Sequence, residues 1–396
     1  MKKKRNSTFV NNLITYLIVI VAFVAVTLLQ NAGMISRSLK GQLVPICVYI
    51  VMAVSLNLVV GISGELSLGH AGFMSVGAFA GAIFCMATKD GIADPTVRLI
   101  LGMLVGGVFA GIMGVIVGVP VLRLQGDYLA IVTLAFGEII RNVLNCVYVS
   151  NDAGQLYFGF NNPSLPGKLI VNGPQGAQGL TRISTFTMGF CLIMFTLIVV
   201  LNLINSRSGR AMMALRDNRI AAESVGISVT KYKLMVFAVS AFFAGVAGVF
   251  FSFSNYTVVD TTFTYNYSIE ILVMVVLGGM GNMVGSAISA VLITFLNDQL
   301  TNVLTGNLAV LQKLFYAVIL VALVIYRNAP GLQGFRDKYN FRALSQRLKR
   351  KKDDPSKVKE DAGYWDRVPT KIEMDEILST DVKVESNSSV RKDGDR

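Results

Sequence analysis

Few side chains in this chain stand at spacings that could do chemistry. Glu138 and Arg141 lie three apart in an apolar stretch, so on a helix they share one face and can pair. An unpaired charge at the centre of a membrane costs at least roughly 2.5–3.5 kcal/mol on insertion scales. The pair therefore reads as a buried brace between helices, or else as part of a polar path. His70 is the single histidine, and no cysteine stands near it at a ligand spacing, so no metal site is expected. Cys47, Cys85, Cys146 and Cys191 lie in or at the ends of apolar segments and read as small packing residues. No G-x-x-x-x-G-K-[ST] loop is present to cradle nucleotide phosphates. No G-x-S-x-G elbow occurs, and a lone histidine leaves little scope for Ser-His-Asp chemistry. Gly279-x-Gly281-x-x-x-Gly285 is not a dinucleotide fingerprint and follows no strand. Nothing supports an enzyme, and no cofactor is implied.

The elements that hold these residues are apolar and long. The chain has 396 residues, of which 53% are hydrophobic and 15% charged, against about 25% charged in an average soluble domain. Several segments run about 20 residues with few charges, enough to cross a hydrocarbon core of roughly 30 Å. The sequence predicts an all-α polytopic membrane protein. Its net charge of +12 is ascribed to the cytoplasmic side of inserted helices and not to nucleic acid. Candidate spans are 9–29, 42–60, 66–87, 97–119, 128–148, 184–204, 234–254, a broken segment 266–298, and 309–326. The total is nine to ten transmembrane or half-membrane helices within 9–326, after a cytosolic N-terminus at 1–8. Residues 327–396 carry alternating charges and few large apolar residues and are expected to be a mostly disordered cytosolic tail.

Two places interrupt the apolar pattern with glycine. One is Gly61–Gly72, holding Gly64, Ser67, Gly69 and His70; the other is Gly278, Gly279 and Gly281, with Gly285 after them. Paired Gly-interrupted segments in two halves of a membrane domain point to a substrate path. The reason is that a broken helix exposes backbone groups, tolerated at depth only against protein or a wet cavity. Gly102, Gly106, Gly107, Gly111, Gly114 and Gly118 recur mostly every fourth residue, a ridge for close helix contact.

Residues 205–231 form the longest polar, basic interruption of the hydrophobic part, with Arg207, Arg210, Arg216, Arg219 and Lys231. Gly209 with Asn205–Ser208 predicts a turn, residues 210–224 a short helix, and Gly226 its stop. The basic charge places this knob in the cytosol, where a soluble partner could grip it. The loop 149–182, rich in Gly, Asn and Pro and nearly uncharged, falls outside.

Gly209-Arg210-Ala211, Ala214-Leu215-Arg216-Asp217-Asn218, Ala221-Ala222-Glu223 and Gly226-Ile227 resemble the coupling loop of branched-chain amino acid ABC importer permeases, with Ile220 where the generic E-A-A-x-x-x-G motif has Glu. Gly64-x-Leu66-Ser67-Leu68-Gly69-His70-Ala71 is similar to a second stretch of that family, Gly126–Leu134 with Gly137-Glu138-Ile139 to a third, and Leu277–Gly281 followed by Gly285 to a fourth. The ordered resemblance covers roughly residues 45–325. It implies a bacterial inner-membrane subunit with both termini cytosolic, paired with a second homologous permease chain. It further implies two cytosolic ATPase subunits and an extracytoplasmic substrate-binding protein, met by 149–182 and 255–267. Leucine, isoleucine and valine are the implied cargo, with urea or another small amide as an alternative within the family. A secondary transporter working without ATPases is the alternative of another class. On the importer reading, Gly209, Arg210, Arg216, Asp217, Asn218, Ala221, Ala222 and Gly226 couple the ATPases to the spans. The membrane-impermeant labelling of engineered cysteines checks the topology: sites in 150–180 react in intact cells and sites in 207–220 do not, and labelling of the latter from outside overturns it.

Overall fold

The computed structural model describes residues 2–303 apart from 34–35, 90, 125, 153–154 and 162–163, together with 314, 317–318, 321 and 325. The expected span 309–326, for the most part, and the expected tail 327–396 lie outside the described residues. The chain is mostly helical: α1 (Lys2–Asn31), α2 (Arg37–Asn57), α3 (His70–Ala87), α4 (Pro95–Val121), α5 (Asp127–Asn145), α6 (Phe186–Asn205), α7 (Arg207–Asp217), α8 (Arg219–Ser224), α9 (Val229–Ser252), α10 (Tyr265–Gly278) and α11 (Met283–Val303). Six helices among the described residues are long and apolar enough to cross a membrane: α2 with its extension to Ser63, α3, α4, α6, α9 and α11. α5 carries Asp127, Glu138 and Arg141, and α10 has only 14 residues, about 21 Å of helix.

α2 lies at the centre. It runs on through a wide π turn over Leu58–Ser63 whose six residues are all buried, and 72% of the most apolar window of Ser38–Ser63 is inside the fold. α4 is the opposite case: only a third of its window is buried, and Ile100, Leu104, Ile112, Ile116 and Val119 are exposed along its outer face. That face suits lipid, since nothing in hydrocarbon penalises an exposed aliphatic side chain.

The inner face of α4 is its glycine ridge. A Cβ on Gly106 would sit 2.6 Å from the Gly77 carbonyl oxygen of α3, and one on Gly245 of α9 would sit 2.7 Å from the Gly106 carbonyl oxygen. Gly77 itself faces the Gly245 backbone with no room for a methyl group. α3, α4 and α9 thus meet backbone to backbone, as small-xxx-small contacts allow. α1 joins the bundle through Phe23, which stacks on Phe186 and Phe190 of α6 at 5.3 and 4.0 Å.

One end of the bundle carries a small sheet within what the sequence presents as a loop. β1 (Val147–Asp152), β2 (Gln155–Phe160) and β3 (Lys168–Asn172) form an antiparallel sheet in the order β2-β1-β3, with a register shift between Val149 and Ser150. The chain after β3 lies against the segment after α9: Ala177 and Val258 exchange backbone hydrogen bonds at 2.9 and 3.0 Å, and Leu180 N–H donates to Tyr256 O. So 149–182 and 255–267 form one structured end. α7 and α8 stand at the other end, joining α6 to α9.

Close backbone packing yields a direct expectation. Gly77→Ala forces the α3 and α9 backbones apart and costs on the order of 1–3 kcal/mol, as overpacking does. Gly111→Ala meets nothing nearer than 3.6 Å and leaves stability unchanged or higher. Thermal unfolding midpoints of the two purified proteins in detergent check the pair; equal midpoints refute the packing argument.

Candidate functional site

The two glycine breaks, which lie more than 200 residues apart in sequence, meet at the α7 end of the bundle. Asn57, at the last turn of α2, holds them together. Its Oδ1 accepts the Gly281 N–H at 2.8 Å, and its Nδ2 donates to Ser286 Oγ on α11 at 2.7 Å. Gly61 lies so close that a Cβ there would be 2.8 Å from Gly281 Cα and nearer still to its nitrogen. Gly64, Gly279 and Gly281 all hold positive φ, at +77°, +98° and +83°, which glycine adopts without a side-chain penalty. The second break is thereby a tight turn that reverses α10 into α11, with Gly278 packed on the Ser286 backbone.

Beyond Gly64 the chain runs without helix to Gly69, and α3 begins at His70. The freed backbone is satisfied from two helices. Leu68 N–H donates to Thr133 Oγ1 of α5 at 3.0 Å, and Ala71 N–H to Ser268 Oγ of α10 at 3.0 Å. His70 Nε2 shares a 2.8 Å hydrogen bond with Ser55 of α2, so the lone histidine is a satisfied interior residue. Ser67, 1% exposed, has a hydroxyl with no partner among the described residues. Gly69 and Gly72 let this stretch press on α5: a Cβ on Gly72 would meet Gly137 Cα at 2.8 Å.

Glu65 and Lys233, both buried, form an ion pair between the first break and the start of α9. The sequence places Glu65 beside the break but gives no sign of this partner, because Lys233 reads as one more cation at a span end. No period in the sequence links residues 168 positions apart.

The basic stretch 205–231 holds two helices, not the one expected over 210–224. Asn218 adopts extended angles (φ −153°, ψ 105°) and its Oδ1 caps the second helix by accepting the Ala221 N–H at 3.0 Å. Ser206 Oγ caps the first by accepting the Gly209 N–H at 3.1 Å, and Gly209 is buried against the Ile204 backbone at the end of α6. Arg210 donates back to Asn205 O at 3.1 Å. Gly226 ends α8 with φ +83°, the left-handed stop that glycine favours. Met212, Leu215 and Ala222 face inward; Asp217, Ala221, Ile220 and Val225 are exposed. Arg216 points to the first break: its Nη1 donates to Gly61 O at 2.6 Å, while Nε and Nη2 donate to Asp217 Oδ1 at 3.3 and 3.2 Å.

Glu138 and Arg141 form the expected pair, with Arg141 Nε donating to Glu138 Oε2 at 2.9 Å. Sequence reading missed their third member. Arg141 Nη1 lies 3.6 Å from Asp260 Oδ2, and Glu138 Oε1 accepts the Tyr265 N–H at the start of α10 at 3.1 Å. This cluster ties α5 to the approach to α10, beside Gly137, which packs on Gly69 and Gly72 of the first break. Among the described residues no group of three or more His, Cys, Asp or Glu is placed to hold a metal.

Six helices long and apolar enough to cross a membrane, among them α2, α3 and α11 beside the glycine breaks, make this a multi-pass membrane protein with the build of a transport subunit. Residues 38–325 match the family described as branched-chain amino acid transport system / permease component, and the chain belongs to that family. It is 32% identical over 294 residues to the high-affinity branched-chain amino acid transport system permease protein LivM of Escherichia coli, covering 66% of this chain and 63% of that one. It thus spans less than two thirds of that relative's length. The probable branched-chain amino acid transport permease protein LivM of Methanocaldococcus jannaschii is 25% identical over 267 residues, 61% of this chain and 74% of its own. The ribose import permease protein RbsC of Escherichia coli is 29% identical over 295 residues, 70% of this chain and 81% of its own. No solved structure matches.

Breaking a buried ion pair from one side strands the other charge, at a cost on the order of 3–5 kcal/mol, whereas replacing both partners by apolar groups is far milder. Glu65→Leu and Lys233→Met each lower the yield of folded protein on size-exclusion chromatography in detergent, and the double variant recovers most of it. A double variant no better than the singles shows that the pair is not what holds the first break to α9.

Proposed function

We propose that this chain is a transmembrane subunit of an ATP-driven importer of branched-chain amino acids. The observation that carries the reading is the α7–α8 knob. It is capped at both ends, joined to α6 and α9, and bonded on its inner side to a helix break. Its outer side presents Ile220 and Val225, 78% and 76% exposed. Two large apolar side chains exposed on a basic knob suit a protein partner, since interfaces set an apolar core within a polar rim. In this reading the partner is a cytosolic ATPase subunit. Two such subunits, a second homologous permease chain and an extracytoplasmic substrate-binding protein complete the assembly. The sheet end, where 149–182 and 255–267 join, faces the binding protein. Nine or ten segments then cross or enter a bacterial plasma membrane, with both termini in the cytosol. Ala221 lies beside Ile220 on the gripped surface, Ala222 packs beneath it, and Gly226 and Asn218 fix the helix angles. Glu138 and Arg141 act as a brace with Asp260, and Gly64, Ser67, Gly69, His70, Gly278, Gly279 and Gly281 border the cargo's path.

An ATPase-independent transporter fits less well. Such proteins keep a free ionisable group at depth for the coupling ion; here Glu138, Arg141 and Asp260 satisfy one another, as do Glu65 and Lys233. A sugar cargo is the second reading, favoured by the similarity to ribose permeases.

Ile220→Asp combined with Val225→Asp strips the apolar anchors from the knob. Co-expressed ATPase subunits then co-purify at least about tenfold less, the loss of a hot spot of roughly 2 kcal/mol. Uptake of labelled leucine falls with it in the reconstituted assembly. Unchanged co-purification refutes the importer reading, and uptake of ribose in place of leucine refutes the cargo.

A further inference from the structure

We propose that Arg216, whose side chain keeps 38% of its surface exposed, is a positioning residue, a pin that carries the movement of the knob to both glycine breaks at once. The inference rests on the importer reading for its consequence but not for its geometry. In sequence, Arg216 is one of several basic residues of a cytosolic loop, and charge alone assigns it to a partner's surface. The structure turns its guanidinium the other way. Nη1 donates to Gly61 O at 2.6 Å, a short bond with a charged donor, of the stronger class. Asp217, on the solvent side, holds the same guanidinium through Nε and Nη2 and so fixes its plane.

The surroundings are shaped to admit this one side chain. Gly64 lies against its stem, since a Cβ there would be 2.7 Å from Arg216 Cγ. Gly281 lies on the other side, where a Cβ would be 3.7 Å from Nη1 and 3.4 Å from Gly61 O. The carbonyl that Arg216 holds thus belongs to the residue that packs on Gly281, and Gly281 N–H is bonded to Asn57 Oδ1. One hydrogen bond from the knob therefore reaches α2, the first break and the turn between α10 and α11. Four residues beyond Gly61, Glu65 is tied to Lys233 on α9. The start of the first break, Gly61 to Glu65, is thus held by the two helices that flank α8.

Lysine cannot replace this residue in full. An ammonium can donate to Gly61 O, but it has no planar fork to engage Asp217 at the same time. Rank order across variants therefore separates a pin from a mere positive charge. Arg219 serves as the control, because its exposed pair with Glu223 lies on the same knob and touches neither break.

The test uses hydrogen–deuterium exchange of the full chain in detergent or nanodiscs, read on peptides covering 60–66 and 278–283. Arg216→Ala raises exchange in both peptides by about tenfold, the scale of one lost charge-assisted hydrogen bond. Arg216→Lys gives an intermediate value, and Arg219→Ala matches the wild type. A change confined to 60–66, or an equal effect of Arg219→Ala, overturns the pin. In the assembled importer, Arg216→Ala retains the ATPase subunits and hydrolyses ATP with uptake reduced at least about tenfold, on the same scale. Loss of the ATPases with exchange unchanged means that Arg216 is a partner contact, and the pin is wrong. If exchange responds in both peptides and no ATPase subunit binds even the wild type, the importer reading fails while the pin stands.

Discussion

A peptide group in hydrocarbon has no water to turn to, so every helix interruption in a membrane must be satisfied by the protein itself. The architecture of this chain follows from how it meets that demand at residues 61–71 and 278–282. Asn57 covers Gly281, Thr133 covers Leu68, Ser268 covers Ala71 and Arg216 covers Gly61. These four donors and acceptors come from α2, α5, α10 and α7. The interruptions are therefore the points at which otherwise separate helices are bonded to one another.

Glycine makes this possible in two distinct ways. At Gly64, Gly279 and Gly281 it supplies a backbone angle that other residues resist. At Gly72, Gly77, Gly106 and Gly245 it supplies absence, letting one backbone lie on another. The two uses meet around α2. The trio α3, α4 and α9 is joined along its ridge by backbone contacts, whereas the region around α2, α10 and α11 combines such contacts, Gly61 on Gly281 and Gly278 on Ser286, with the hydrogen bonds of Asn57.

Much of this was legible in sequence, and what was not shares one physical trait. The helices longer than about 18 residues follow from composition, because the bilayer imposes a length. The breaks follow from glycine, and the knob from its charge. The α4 ridge follows from its four-residue step. What the sequence hides is every feature fixed by a distant partner. Lys233 is one cation among many until Glu65 is beside it, and Asp260 is one loop residue until Arg141 is. The sheet of β1, β2 and β3 sits in a run of Gly, Asn and Pro with strands of six, six and five residues, too short for a period to stand out. Asn218 lies inside the helix that its neighbours favour, yet its side chain caps α8, the competing use that makes Asn a weak helix interior residue.

The knob shows why a two-helix form serves better than the single helix that propensity suggests. One continuous helix from 207 to 224 would place its residues on a fixed spiral, so that positions four apart share a face. Arg216 and Ile220 would then lie on the same side. The break at Asn218 undoes that alignment. It leaves Arg216 bonded inward to Gly61 and Ile220 exposed outward, 78% accessible, four residues later. In the proposed importer these are the two ends of one lever: a surface that a partner grips and a bond that reaches the helix breaks. A residue that interrupts a helix is ordinarily a weakness. Here it is the condition under which a short segment can face the partner and the first helix break at once, and the bond from the Ala221 N–H to Asn218 Oδ1 keeps the second helix from fraying where the first one ends.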